Sequence, residues 1–535
     1  MSYPCHIQTL IVEDEQDPVE NYRHFFQELA KLDVAPPVIA WSHDDAVRHL
    51  SSNSIFHLVI IDLGLPYATH DTAKAGVDPG IDLVQRAAAR ECYPVPALLV
   101  ISGRLGQAQL PSLGDLLATE FWHGTMVNKG PDQDEAIERA IEEVRRYCHV
   151  GIHLRDAGGK LCPTISPREE DLLRRCVLGQ TQCVGLDLEW WGTYPNTSVS
   201  AASAGGQVTK VLMGRFLLRD GKESSRPSFF KFEPNQSAVL SHEAAELMVQ
   251  KLSHVKICSR IRSLNRSLLV TQQVGGSSSR PISLAEMLTD DSEATREAIP
   301  QAVSDIVGQL ASLGSATEDR LAVSALLWKW HDVEKIKAAL NRHGGGTESM
   351  PVRLLEKLHA NKDRRWVRCQ TCTHGDLNAT NIALEAVDGS YRAYIFDAAG
   401  MRADTAVRDL ATLETTLLLH QRSSLGESLV TLCQAIYDPG VTIPNFPPSE
   451  ESPAIVRNTF NFIREIRRHA LQANDVSVYA LIVFDCAMIQ LGGLAIQSRQ
   501  NKITNAANAV KLAELTANWL VSVAPWVAEV AAPGS

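Results

Sequence analysis

Four short apolar runs punctuate the first quarter of the chain, and each stops at residues that can bind or carry charge. Ile7–Val12 leads into Glu13-Asp14-Glu15, His57–Ile61 into Asp62-Leu63-Gly64-Leu65-Pro66, Ala97–Ile101 into Ser102-Gly103, and Thr125–Asn128 into Lys129. Strands buried on both faces read as continuous apolar runs, and in an open α/β sheet the polar residues at their C-terminal ends line one crevice. The pattern therefore predicts an open α/β sheet whose four strand ends converge on one pocket.

Beyond it the rhythm changes. Ser166-Pro167-Arg168-Glu169 has the form of a helix start, with Ser166 as cap and Pro167 in the first turn, inside a helical connector spanning 151–184. Val208–Met213 and Ser228–Glu233 read as strands, the second with Lys231 inside an apolar alternation, and Ser241 reads as the cap of a helix carrying Glu243 and Glu246. Leu268–Val274 is strand-like and runs into Gly275-Gly276. Asn381–Leu384 and Tyr391–Phe396 form a predicted hairpin across Asp388-Gly389-Ser390, which brings Asp397 beside Asn381. Arg408–Glu414 opens an apolar-periodic helix, and the rest is helical in pattern. Tyr479–Ile496 is strongly apolar, but Asp485, Gln490 and Gly492-Gly493 mark it as a buried helix rather than a membrane span.

Composition narrows the class. A chain of 535 residues with 45% hydrophobic and 21% charged residues can bury more than one core, and a net charge of −11 argues against a broad nucleic-acid-binding face. The start of the chain carries no charged and apolar leader pattern, so a cytoplasmic location is expected. Eleven cysteines lie scattered without a compact framework. Cys369-Gln370-Thr371-Cys372 lacks a second ligand pair, so buried strand cysteines are the expectation.

Candidate chemistry gathers in two places. In His374-Gly375-Asp376-Leu377-Asn378-Ala379-Thr380-Asn381, followed by Asp397, a carboxylate that can orient or deprotonate a hydroxyl (Asp376) precedes an amide oxygen (Asn381) and a second carboxylate (Asp397) able to hold Mg²⁺. Upstream, the small-residue loop around Gly205 and Gly206 would let backbone N–H groups approach phosphates. In the N-terminal domain, Glu13, Asp14 and Asp62 can bind Mg²⁺, Asp62 can accept a phosphoryl group, and Ser102 and Lys129 can contact it.

Two resemblances follow from these residues. His374-Gly375-Asp376-Leu377-Asn378 with Asn381 and Asp397 resembles the aminoglycoside phosphotransferase and choline kinase group, most closely the bacterial ternary-complex-associated domains. The likeness implies an α+β two-lobed protein-kinase-like domain, with an N-lobe over 185–280 and a helical C-lobe over 281–535, using ATP and Mg²⁺. It also implies that Lys231 contacts the nucleotide phosphates and pairs with a helix glutamate, Glu243 or, one turn further on, Glu246, that the backbone near Gly275-Gly276 meets the adenine edge, and that Asp409 braces the catalytic loop. The first 150 residues resemble a response-regulator receiver domain, which implies an α/β domain over 1–150 built on a doubly wound parallel five-stranded sheet, with a histidine kinase or a small-molecule phosphodonor as partner. Three features depart from the receiver pattern: the insertion Tyr67–Val77, Gly130 in place of the usual proline after Lys129, and Met126 in place of the aromatic switch residue.

The leading expectation is a signalling enzyme in which the receiver domain regulates transfer of the ATP γ-phosphate to a hydroxyl-bearing acceptor, a small molecule or a protein. No nucleic-acid or membrane partner is expected. The alternative is a receiver–pseudokinase scaffold that binds nucleotide and partners without catalysis.

Overall fold

A computed structural model describes residues 6–531 except 30–32, 53, 69–76, 90–94, 104–109, 156–164, 192–209, 225, 253–254, 264–265, 274–279, 323–332, 343–348, 361–365, 388–389, 398–400, 421–427, 446, 474 and 497–502. Two compact units result. The first comprises residues 1–190, 203–239 and 257–272, and the second 191–202, 240–256 and 273–535.

The first unit begins with β1 (Thr9–Val12), α1 (Gln16–Leu29), β2 (Val38–Ala40), α2 (His43–Ser51), β3 (Leu58–Ile61), α3 (Val77–Ala89), β4 (Ala97–Ile101), α4 (Leu110–Glu120), β5 (Gly124–Val127) and α5 (Gln133–His149). The strands form one parallel sheet in the order β2-β1-β3-β4-β5, a doubly wound arrangement. Four strands were expected from their apolar runs. β2 was not among them: its run Val38-Ile39-Ala40 is only three residues long, and only Ala40 is buried. Alternate residues of the strands feed two separate clusters, Leu10, Val59, Ile61, Leu98 and Val100 in one and Ile11, Leu58, Ile60, Leu99 and Ile101 in the other. That division is what a sheet covered on both faces produces.

A second sheet completes this unit. It contains β6 (Gly151–Leu154), β7 (Cys183–Trp190), β8 (Lys210–Leu218), β9 (Ser228–Pro234), β10 (Val255–Arg262) and β11 (Arg266–Gln273), in the order β10-β11-β9-β8-β7-β6. The stretch 151–184 is thus more than a helical connector: β6 joins the sheet parallel to β7. Between those strands, α6 (Pro167–Leu178) begins at the expected place, with Ser166 and Glu169 forming a reciprocal capping box. Leu172, Leu173, Cys176 and Val177 of α6 share a core with Leu186, Phe230, Phe232, Leu268 and Val270.

The polar side of α6 is also buried, which its sequence did not suggest. Glu169 is fully buried between Lys210 Nζ at 2.6 Å and Arg266 Nη2 at 2.7 Å. Asp171 meets Arg175 at 2.8 Å and accepts from Tyr147 Oη on α5 at 3.0 Å. Arg174 donates to the Tyr147 and Val150 carbonyls, and Arg175 to the Thr119 and Glu120 carbonyls at the end of α4. One helix therefore fastens the end of the parallel-sheet domain to the second sheet through charge-assisted hydrogen bonds.

Helix α7 (Asn235–Lys251) starts six residues before the expected cap, so Ser241 lies inside it. The polar opening Asn235-Gln236-Ser237 hides the helix from an apolar-periodicity reading.

The second unit holds α8 (Leu284–Thr289) and α9 (Glu293–Leu313), with two three-stranded sheets. One is β12 (Ile282–Ser283), β15 (Ile382–Val387) and β16 (Ser390–Ile395), in the order β12-β15-β16; the other is β13 (Ala316–Ala322), β14 (Trp366–Thr373) and β17 (Arg402–Asp404). The edge strand β16 is covered by α9, where Asp305 accepts from Ala393 N–H and Gln309 both accepts from Ile395 N–H and donates to the Ala393 carbonyl. Helices Arg408–His420, Ala454–Ala473, Val476–Ile496 and Ile503–Val523 contribute much of the large apolar core. Glu414, fully buried, accepts from Arg467, Tyr437 and Tyr479 there. Among the described residues, no helix is long and apolar enough to cross a membrane.

Candidate functional site

In the second unit the hairpin forms in the expected register. Ile382 pairs with Ile395 across β15 and β16, and Phe396 N–H donates to the Asn381 carbonyl at 3.0 Å, so Asp397 follows the residue bonded to Asn381. Of the turn expected at Asp388-Gly389-Ser390, the first two residues lie outside the described residues. Asn381 is buried, Asp397 is half-buried, and Asp376 is exposed. Asp397 has a φ of 62°, the left-handed region that costs a non-glycine residue about 1–2 kcal/mol. Backbone held there against its preference is characteristic of sites where surrounding structure fixes one side-chain direction.

Three braces hold the loop. Asp409, at the start of helix Arg408–His420, accepts from His374 N–H at 2.7 Å and Gly375 N–H at 2.9 Å, the role expected for it. Burial pushes its carboxyl above the usual range, against the opposing pull of His374 and the two N–H donors. Arg408 next to it is pinned by Asp404 and Asp485, which anchors the first turn carrying Asp409. His374 is the second brace: its Nδ1 faces Asp376 N–H at 3.4 Å, and Nε2 faces the Phe396 carbonyl at 3.0 Å. Because an amide N–H can only donate, Nδ1 is the acceptor and Nε2–H the donor, which fixes the tautomer. The third brace is internal, with Asn378 Oδ1 accepting from Thr380 N–H and Oγ1. Asn381 Nδ2 donates to the Asp376 carbonyl at 2.8 Å.

The upstream residues are placed less simply. Gly205 and Gly206, and the Gly275-Gly276 hinge, lie outside the described residues. Lys231 is a buried residue of β9 in the first unit, with Glu233 of the same strand 3.3 Å from its ammonium; Glu243 and Glu246 lie on α7, in the stretch that belongs to the second unit. Residues two apart on a strand point to the same face, which brings Lys231 and Glu233 together.

In the first unit the four strand ends converge as expected. Glu13, Asp14 and Asp62 offer carboxylate oxygens all within 4.8 Å of one another, the one such cluster among the described residues. Lys129 Nζ lies 2.9 Å from Glu13, 2.7 Å from Asp62 and 3.8 Å from Glu15. Burial and the nearby Asp62 charge push Glu13 up to about 7 despite Lys129, and burial also raises Asp14. Burial would depress Lys129, but its hydrogen bonds to Asp62 and Glu13 outweigh this and hold it above its ordinary range. Ser102 is fully buried at the end of β4, where its N–H donates to the Val127 carbonyl. Oxygen donors of this kind suit a hard divalent cation. Most of the Tyr67–Val77 insertion lies outside the described residues.

Cys372 is a buried free thiol of β14, and no cysteine belongs to a metal-ligand cluster among the described residues.

No family model and no curated protein matches the chain. Solved structures with detectable likeness include a Ralstonia eutropha protein named provisionally as an aminoglycoside phosphotransferase (10% identity, 59% of this chain and 93% of that one, TM-score 0.35). An ethanolamine kinase from Plasmodium vivax (10%, 58% and 82%, 0.32) and a spectinomycin phosphotransferase in complex with ADP and spectinomycin (11%, 58% and 91%, 0.31) are also similar. Similarity at these values decides neither fold nor activity.

Proposed function

We propose that the second unit carries a nucleotide- and Mg²⁺-dependent phosphotransfer centre, and that the N-terminal domain is a receiver that regulates it. The observation carrying the reading is the braced hairpin, which sets Asn381 just before β15 and Asp397 just after its partner strand β16, with Asp376 bonded to Asn381 through its carbonyl. The chemistry of these donors fits the cation: Asn381 Nδ2 is committed to the Asp376 carbonyl, which leaves Oδ1 for Mg²⁺, and Asp397 adds a carboxylate. Bound Mg²⁺ would neutralise charge on the nucleotide phosphates. Asp376, exposed at the loop, orients or deprotonates the acceptor hydroxyl. Lys231, as the family resemblance implies, is assigned to the ATP phosphates.

In the receiver reading, Asp62 accepts a phosphoryl group from a histidine kinase or a small-molecule phosphodonor, with Mg²⁺ held by Glu13, Asp14 and Asp62. Ser102 and Lys129 contact the transferred group. The hydroxyl-bearing acceptor of the second centre is a small molecule or a protein.

Purified protein tests both parts. With Mg²⁺ and ATP it should bind nucleotide in a metal-dependent way, and Asp397→Ala should abolish that dependence; equal binding by the variant refutes the assignment. Acetyl phosphate should label Asp62 and leave Asp62→Asn unlabelled. The scaffold reading draws on the Lys231–Glu233 pair, which occupies the lysine, and it requires nucleotide binding with no transfer to any acceptor in a turnover screen.

A further inference from the structure

Trp191 touches both segments that carry the proposed metal ligands. Its indole N–H donates to the Thr380 carbonyl at 2.6 Å, inside the turn Ala379–Asn381, and its ring meets Phe396 edge-on with centroids 5.8 Å apart. Asn381 is the residue after Thr380, and Asp397 is the residue after Phe396. The indole is almost wholly buried, at 2% exposure.

The contact reaches across 189 positions of the chain, whereas the N–H and hydroxyl of Thr380 both bond locally to Asn378. Local capping sets the shape of the turn, and the hairpin joins it to the Phe396 segment through the bond from Phe396 N–H to the Asn381 carbonyl. A rigid ring that bonds one segment and packs on the other adds a side-chain tie where the two ligands leave the ladder. Trp190, the last residue of β7, provides the contrast: its indole nitrogen is buried and has no hydrogen-bond partner among the described residues.

We propose that Trp191 is a positioning residue that holds Asn381 and Asp397 at the spacing their shared cation requires. This rests on the phosphotransfer reading above. Trp191→Phe keeps an aromatic ring against Phe396 but removes the donor to Thr380, and Trp190→Phe makes the same change where no bond is lost.

Two measurements on the full chain test it. Mn²⁺ binding in the presence of ATP, read by electron paramagnetic resonance, should weaken about fivefold in Trp191→Phe, the effect of one lost hydrogen bond. Amide exchange at Phe396, whose N–H bonds the Asn381 carbonyl, should quicken by a similar factor in metal-free protein. Trp190→Phe should match the wild type in both. Unchanged exchange or unchanged Mn²⁺ affinity in Trp191→Phe overturns the proposal, as does an equal loss in Trp190→Phe. A wild type that takes up no Mn²⁺ with ATP instead overturns the phosphotransfer reading and removes the inference with it, so the two failures are distinct.

Discussion

Replacing Glu169 by glutamine should loosen the first unit far more than a surface change of one charge would. The carboxylate is fully buried and faces two cations, Lys210 Nζ at 2.6 Å and Arg266 Nη2 at 2.7 Å, while also accepting from Ser166 N–H at 2.9 Å. Glutamine at this position still closes the capping box with Ser166, so the cap survives and the charge alone is lost. Breaking a buried ion pair by removing one partner costs about 3–5 kcal/mol, because the remaining charges stay desolvated and uncompensated. Loss of the cap alone, as in Ser166→Ala, should cost about 1 kcal/mol. A chain of two units need not unfold in one step, so the readout should be local. Hydrogen exchange in β8 and β11, which carry Lys210 and Arg266, reports the opening free energy there. The triple replacement Glu169→Leu, Lys210→Met, Arg266→Met should recover most of the loss, since apolar residues of similar volume carry no desolvation penalty. A Glu169→Gln variant within about 1 kcal/mol of wild type would refute the reasoning, as would a triple variant as weak as the single one.

Three further outcomes follow from the same geometry. Lys129→Ala leaves Glu13, Asp14 and Asp62 without the ammonium that separates their charges, so Mg²⁺ should raise its melting temperature more than it raises that of wild type; equal shifts would count against a cation site there. His57 accepts from Gln8 N–H through Nδ1 and is pushed down by burial, and secondarily by His6, to about 4 from an ordinary 6.5. The folded chain then binds fewer protons than the unfolded one, so this contribution is present above pH 6.5 and is lost as pH falls through about 4. His57→Asn should flatten the urea midpoint across that window, and an unchanged slope would refute the assignment. Asp409→Asn weakens two charge-assisted bonds to His374 and Gly375 N–H groups, worth about 1.5–3 kcal/mol each at most. If the loop is the phosphotransfer centre proposed above, kcat in steady-state assays should fall by about two orders of magnitude with KM for ATP nearly constant, and an unaltered kcat would remove the brace from that mechanism.

What the amino-acid order revealed, and what it hid, divides along one physical line. Apolar continuity exposed β1, β3 and β4, because strands buried on both faces leave an unbroken run; β5, half-buried throughout, was legible only from a short run ending at Lys129, and β2, three residues long, was missed. The Asn381–Asp397 neighbourhood was legible because a hairpin register is local and needs only two strand patterns and a turn. The partners of charged groups were not legible. Glu169 finds Lys210 and Arg266, 41 and 97 positions away, and Lys231 has Glu233 of its own strand 3.3 Å away, a partner the family pattern does not name. Such choices depend on which desolvated charges end up close together, a property of packing rather than of spacing.

The same distinction bears on how regulation could be built into the first unit. Both polar ends of α6 are buried: Arg174 and Arg175 fasten it to backbone carbonyls around α4 and α5, and Glu169 fastens it to β8 and β11. Any shift of α4 or α5 that follows occupancy of the Asp62 pocket must therefore break charge-assisted bonds or carry α6 with it. Carrying the helix is the cheaper course, because stranding a buried charge costs several kcal/mol whereas moving a packed helix as a body preserves its contacts. α6 is followed, after the turn at 179–182, by β7, and Trp191 is the next residue of the chain. Glu169→Gln should then do more than destabilise. If the helix transmits the state of the Asp62 pocket, Mn²⁺ affinity with ATP should respond to acetyl phosphate in wild type and lose that response in the variant; a response preserved in Glu169→Gln would show that α6 is a structural tie and carries no signal.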